Sequence, residues 1–396
     1  MSYRWSNVAG VKQVVVVKLV PDAGERAALL ETLRICNTEA NRIAAVAFAH
    51  RDKDTGQVER EYALRGRVYA EAKATGIGSQ LAQHAVKKVR DAYSVVYAQV
   101  KVGLLRGNQA VKALGKPVVF DPGSAQSFDD RCLSWDLEAR TVSIRTVAGR
   151  RKRIAFACSK RDLEALRAHR KGESDLFERD GELFLAATVD IPEAEQFEPV
   201  DFIGVDRGIV NLATTSDGVN YQGKGLERYR RRQARIRAEL QAKATKAAKK
   251  KLKQQARKEA RHAAHVNHKI AKEIVSAAER TDRGIALEDL EGIRERVRLT
   301  RSQRGRISNW PFYQLAQYIA YKAKRAGVPV VVVDARHTSQ KCPLCHHTER
   351  ANRRNRDDFE CRGCGLAGPA DVIASVNVRA RGRMAWAVSQ GSRAAA

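Results

Sequence analysis

No apolar run in this chain is long enough to cross a bilayer, and Met1–Lys12 carries no signal-peptide pattern. Acid is scarce relative to base: 45 Asp+Glu stand against 73 Lys+Arg, a formal charge of +28 and a pI near 10.1. A polyanion is the natural partner of such a surface, with nucleic acid first and an anionic membrane second. The seven cysteines are odd in number and scattered, so they make no disulfide framework. Cys36, Cys132 and Cys158 stand alone and read as buried core thiols, which points to a reducing compartment, the cytoplasm. A pair of His with a nucleophilic Tyr, which a strand-transferring transposase of the HUH type needs, is also missing. With 43% hydrophobic residues the chain can bury a real core, and 396 residues are enough for two or three domains.

The chain opens on VVVVKLV (14–20), a β-branched strand ending at Pro21. Asp22 and Glu25 then form a capping-box signature ahead of helical spacing through Leu29, Leu33, Cys36, Ala40, Ile43 and Ala47. A second helical stretch covers Ser79–Ala113, so residues 22–113 read as a helical bundle inserted after one strand. Residues 132–147 alternate like a strand, and 176–191 read as a hairpin turning at Asp180-Gly181. Together with the first strand, 114–198 is expected to form a small barrel, a scaffold or a nucleic-acid binder.

From Pro199 the pattern becomes strand (FIGVD), hairpin turning near Asp217-Gly218, helix, strand (GIALEDL, 284–290), helix (311–326), strand (VPVVVVDA, 328–335), then the cysteine segment and a last helix. This alternation matches an RNase H-like core. Residues 226–283 lack Gly and Pro altogether. Lys224–His262 holds 16 Lys+Arg against 3 Glu, so this helix would repel itself without a polyanion beside it. Arg230, Arg231, Arg232, Arg235, Lys249, Lys250, Lys251 and Lys253 are its candidate nucleic-acid contacts.

Two constellations carry chemistry. Cys342-x2-Cys345 and Cys361-x2-Cys364, 15 residues apart, have zinc-ribbon spacing. Four thiolates close a tetrahedral Zn²⁺ site with no open position, so this site is structural, and His346 and His347 are surplus to it. Asp206 and Glu288 each end a strand, and Asp371 follows Pro369 at a helix start. Strand ends gather functional groups in an open α/β sheet. Three carboxylates there would hold Mg²⁺ or Mn²⁺, two ions in the phosphodiester-cleaving form. Asp289, Glu291 and Asp334 read as ordinary surface acids. Trp310, Phe312 and Tyr313 read as core aromatics at a helix start.

The segments GVDRGIVNLATTSDG (204–218), NHKIAKEIVSAA (267–278), IALEDLEGIRER (285–296), NWPFYQL (309–315), RHTSQKCPLCHH (336–347), FECRGCG (359–365) and ADVIASVNV (370–378) resemble, in order and spacing, the TnpB proteins of insertion sequences. TnpB is the ancestor of compact type V CRISPR effectors. KLVPDAGERAALLETLRICN (18–37) also resembles the family's first strand and helix. The resemblance implies an RNA-guided DNA endonuclease with one RuvC-like site at Asp206, Glu288 and Asp371. Its partners would be a guide RNA (from a transposon end, or a crRNA) and duplex DNA bearing a short flanking motif, with a monomeric protein.

The implied fold class is α+β and multidomain. A wedge-like barrel (1–21, 114–198) would carry a helical recognition domain (22–113). A RuvC-like core (199–335, 366–390) would hold the zinc ribbon (336–365), with a disordered tail at 391–396. One departure is Ile373, where the family usually has Asn. Beside this reading stand a compact CRISPR effector and an RNA-guided repressor that does not cut; the latter predicts a damaged carboxylate set, and none is damaged.

Overall fold

The computed structural model describes residues 11–52, 55–290 and 312–394. Glu291, Trp310 and the helix start at Pro311 lie outside them, as does the side chain of Phe312. The chain divides into two compact units, 12–191 and a second that runs from Pro192 to the end.

In the first unit β1 (Val11–Val20) leads through the Asp22/Glu25 capping box into α1 (Ala23–Ala49). Helices α2 (Glu61–Ala72), α3 (Ser79–Lys101) and α4 (Asn108–Leu114) follow. Then come β2 (Gln126–Phe128), β3 (Leu133–Asp136), β4 (Thr141–Thr146), β5 (Gly149–Ala157), α5 (Lys160–His169), β6 (Arg170–Arg179) and β7 (Glu182–Ile191). The strands form one sheet in the order β2-β6-β7-β1-β5-β4-β3. The first strand therefore sits in its middle, paired antiparallel with β5.

The helices and this sheet share a single apolar core, from Val15 and Leu33 through Val86 to Leu185. The β6–β7 turn falls at Asp180 and Gly181, both at positive φ, as its Asp-Gly sequence demands. The second helical stretch is shorter than its periodicity implied. α3 stops at Lys101, and Gly103 and Gly107, both at positive φ, separate it from α4. Similarly, 132–147 is a hairpin and not one strand, turning before Arg140 at φ 52. Cys36 and Cys132 are buried, whereas Cys158 is only half-buried. Burial pushes the Cys36 thiol up to about 12, the mark of an inert core sulfur.

The second unit is built on β8 (Asp201–Asp206), β9 (Asn211–Thr215), β10 (Asn220–Gln222), β11 (Arg283–Asp289) and β12 (Val330–Asp334), ordered β10-β9-β8-β11-β12. β8, β11 and β12 run parallel; β9 and β10 are antiparallel. Gly218, at φ 83, makes the expected second hairpin turn. Alternation divides the parallel strands between two faces. Ile203, Val205, Ile285 and Leu287 pack on α7 (Lys246–Arg280) and α8 (Phe312–Ala326). Phe202 and Ala286 pack with Val378 and Trp386 of α9 (Ala370–Ala394) on the other face. The result is three layers, helices on both sides of a mixed sheet. No helix of the described residues is long and apolar enough to cross a membrane.

α9 reaches Ala394, over most of the segment expected to be a disordered tail.

α9 lies unusually close to the sheet. A Cβ added at Gly204 would run into the Ser375 carbonyl oxygen and the Arg379 amide. One added at Gly382 would strike the Ala286 methyl. We expect Gly204→Ala to cost about 3 kcal/mol by overpacking, measured as a lowered denaturant midpoint; an unchanged midpoint would contradict this close approach.

A carboxylate anchors the same helix. Asp201 takes hydrogen bonds from Arg379 and Arg383 of α9 and from the Phe202 amide. Burial alone would raise its pKa; the two guanidinium partners outweigh this and hold it at about 2. A depressed carboxylate stabilises the fold above its unfolded pKa, about 3.9, and that stability is lost as pH falls towards 2. Because Arg383 is exposed, the contribution is on the order of 1–2 kcal/mol. Asp201→Asn should therefore lower Tm at pH 6, with the difference from the native protein shrinking as pH falls through 2.

Candidate active site and metal centres

Period-two alternation decides where the strand-end acids point. Phe202 and Gly204 face α9, so Asp206, two residues further along β8, faces it too. Ala286 faces α9, so Glu288 does as well. Parallel register sets Leu287 beside Val205, which brings Glu288 next to Asp206. Asp371 lies one helical turn before Ser375, the residue that rests on Gly204, and so comes to the same strand ends. Asp289 and Asp334 pair in register and Asp289 points to solvent, as their ordinary reading requires.

Asp206 senses both of the other acids. Asp206 is raised well above the usual carboxylate range by burial first, then by the charges of Glu288 and Asp371. Glu288 is 5% exposed and also raised, burial again being the largest cause, opposed by the Thr338 hydroxyl and the nearby Arg207. Asp371 accepts from Asn211 Nδ2 at 2.8 Å and pairs with Arg353 at 3.4 Å. Buried Arg207 donates to the Glu288 carbonyl. Negative charge held together against desolvation, on hard oxygen donors, fits a divalent cation such as Mg²⁺ or Mn²⁺.

The supporting residues were not singled out from the sequence. Asn211 and Thr338 stand inside the segments GVDRGIVNLATTSDG and RHTSQKCPLCHH, but polar side chains in a loop or strand give no sign of their partner. Arg353 is one of several arginines in its segment.

The four cysteines do converge. Cys342, Cys345, Cys361 and Cys364 bring their sulfurs within 4.8 Å of one another, the one such cluster of ligand atoms among the described residues. The carboxylates are spread more widely than that. Cys342 and Cys364 stand 3.6 Å apart, Cys345 and Cys361 3.4 Å. These spacings are too long for disulfides and near the ~3.8 Å edge of a tetrahedron with Zn–S bonds of about 2.3 Å. Burial would raise the Cys361 thiol, but the backbone N–H groups of Cys364 and Gly363 and the neighbouring thiols bring it down to about 6; Cys345, despite the His347 amide, is pushed up to about 12 by the same sulfurs, so Cys361 is the readier thiolate of the two. The His347 ring pairs with Glu349 instead. β13 (Asp358–Glu360) and β14 (Ala367–Pro369) complete the ribbon and lead directly into α9. Ile373 belongs to the ribbon's small core, with Cys342, Phe359, Cys361 and Ala370.

The long basic segment is a hairpin and not one helix. α6 (Lys224–Lys243) ends at Ala244, φ 51, and α7 restarts from the Thr245 cap. Packing of α6 on α7 turns Arg230 inward, where it and Arg237 meet Glu259. Arg230 is thus a residue of the hairpin seam, not of its outer face. Arg231 and Arg235 make i,i+4 ion pairs with Glu227 and Glu239, too exposed to hold them firmly. Arg232, Lys249, Lys250, Lys251 and Lys253 are exposed. Tyr313 is exposed as well, not a core residue.

Residues 186–291 match a family described as probable transposase, and residues 312–378 match the Cas12f1-like TNB domain. A TnpB-like protein of Methanocaldococcus jannaschii is 36% identical over 112 residues, covering 28% of this chain and 40% of that protein. The CRISPR-associated endodeoxyribonuclease Cas12f1 of Syntrophomonas palmitatica is 37% identical over 118 residues, 30% of this chain and 23% of its own. The chain is related to the TnpB and Cas12f1 proteins. The putative RNA-guided DNA endonuclease InsQ of Escherichia coli K12 is 28% identical over 217 residues, half of this chain and 54% of its own. The matched stretches therefore span a quarter to about half of these TnpB and Cas12f1 relatives. In fold, the chain is similar to the mini-RNA-guided endonuclease CRISPR-Cas_phi3, at TM-score 0.55 and 10% identity, over 93% of this chain and 92% of that one.

Proposed function

We propose that the protein is an RNA-guided DNA endonuclease that hydrolyses its target at one RuvC-like site in the cytoplasm. The observation that carries this reading is the placement of Asp206 and Glu288 on one sheet face at adjacent parallel strand ends, with Asp371 delivered to them by α9. The strand order β10-β9-β8-β11-β12, three antiparallel strands continued by two parallel ones, supports an RNase H-like core. The Cas12f1 and InsQ likenesses support DNA as substrate and RNA as guide.

In this reading Asp206, Glu288 and Asp371 hold Mg²⁺ or Mn²⁺. When bound, such ions stabilise the attacking and leaving oxygens of a phosphodiester, in the two-metal manner. Asn211 and Arg353 fix the Asp371 carboxylate from two sides. The cysteine cluster holds Zn²⁺, which ties the ribbon to the start of α9. Arg232, Lys249, Lys250, Lys251 and Lys253 supply a basic face for phosphates. The first unit contributes a wedge-like sheet and a helical recognition layer toward guide and target. Base pairing then reads sequence, while the protein reads duplex shape and a short flanking motif.

The test is to purify the protein with the RNA it retains, sequence that RNA, and offer duplexes matching it with Mg²⁺. Retained RNA and cutting of matched duplex alone are expected. Protein free of RNA would contradict the guided reading, and retained RNA without cutting would favour a repressor.

A further inference from the structure

The loop that opens the ribbon reaches the strand-end acids. Thr338 lies between β12 and Cys342 and is 3% exposed. Its hydroxyl donates to Glu288 Oε1 at 2.6 Å, with the Ala335 carbonyl a longer second acceptor at 3.1 Å. The loop is itself held from α9. Asn377 is buried, and its amide donates to the Thr338 carbonyl at 2.8 Å and the Lys341 carbonyl at 2.7 Å. Both amide protons are committed, so the loop is fixed on both sides of Ser339-Gln340. α9 thus carries Asp371 on its first turn and braces the loop that grips Glu288.

We propose that Thr338 is a positioning residue for Glu288, and that Asn377 is the brace that holds it in place. A carboxylate at a strand end can rotate about its last torsion, and only some orientations present an oxygen toward Asp206. A buried hydroxyl on one oxygen favours one such orientation. The inference rests on the nuclease reading, since it assigns Glu288 a metal to face. Groups that orient a ligand from behind typically change metal affinity by about 10–100-fold when lost.

Thr338→Val removes the hydroxyl at nearly constant volume, and Thr338→Ser keeps it. The measurements are zinc content, Tm, and Mn²⁺ affinity of the purified ribonucleoprotein from the electron paramagnetic resonance signal of free Mn²⁺. Thr338→Val should keep its zinc and bind Mn²⁺ at least about 10-fold more weakly, and Thr338→Ser should restore binding. Should Thr338→Val lose zinc or fold poorly, Thr338→Ala makes the same comparison without a branched side chain. Mn²⁺ binding lost in Asp206→Ala but intact in both hydroxyl-free variants overturns this inference alone. Equal losses in Thr338→Val and Thr338→Ser overturn it too, since the hydroxyl would then be immaterial. Mn²⁺ binding unchanged by Asp206→Ala overturns the nuclease reading beneath it.

Discussion

Asp206→Ala should reduce cutting of guide-matched duplex by about 1000-fold or more, with retained RNA unchanged. The same substitution should raise Tm. Asp206 is a desolvated acid crowded by Glu288 and Asp371, so removing it relieves repulsion that the fold otherwise carries. A gain on the order of 1 kcal/mol, with activity lost, is the signature of a site built at the expense of stability. Cleavage rates on matched duplex in Mg²⁺ and a thermal melt of the metal-free protein check both halves. Cutting at the native rate would remove Asp206 from the reaction. A lowered Tm would show that the carboxylate is a structural partner.

Cys361→Ser should act in the opposite way, losing stability and activity together. Its sulfur is one of four within bonding reach of a single Zn²⁺, and Cys361 lies in the same small core as Phe359 and Ile373. That core is small, so metal binding would supply folding energy to the ribbon, worth about 10 kcal/mol or more in isolated zinc modules. When the ribbon loosens, the start of α9 loses its lead-in strand β14, and Asp371 loses Arg353. Zinc content by atomic emission, protease sensitivity of 336–369 and cutting rate should all fall together. Zinc-free protein with an intact, protease-resistant ribbon would contradict a structural metal. The two variants separate the two proposed metal centres: one should empty the carboxylates and leave the fold, the other should undo the fold that delivers them.

Much of this was legible from sequence because it was written in local chemistry. The Asp22/Glu25 capping box, the Asp180-Gly181 and Asp217-Gly218 turns and the paired CxxC knuckles are short-range rules, and the structure keeps each of them. The strand-end acids were visible as types and positions, but their convergence depends on register and on Gly204 and Gly382 admitting α9 against the sheet. No spacing along the chain encodes that approach. The misreadings have one physical cause. Periodicity reports the face of an element and not where it breaks. Thus 224–262 looked like one basic helix until Ala244 took a left-handed turn and Arg230 moved to the seam. The same holds for 132–147, whose alternation continues through a hairpin. Thr338, Asn211 and Asn377 were out of reach because each matters through a partner from 39 to 160 residues away.

Asp206, Glu288 and Asp371 should bind divalent metal as one site. Anomalous diffraction at the manganese edge, from crystals soaked in Mn²⁺, tests it most directly. Density is expected between these three carboxylates and absent from Asp206→Ala crystals. Manganese bound elsewhere in a protein that still cuts, with these carboxylates bare, would contradict it.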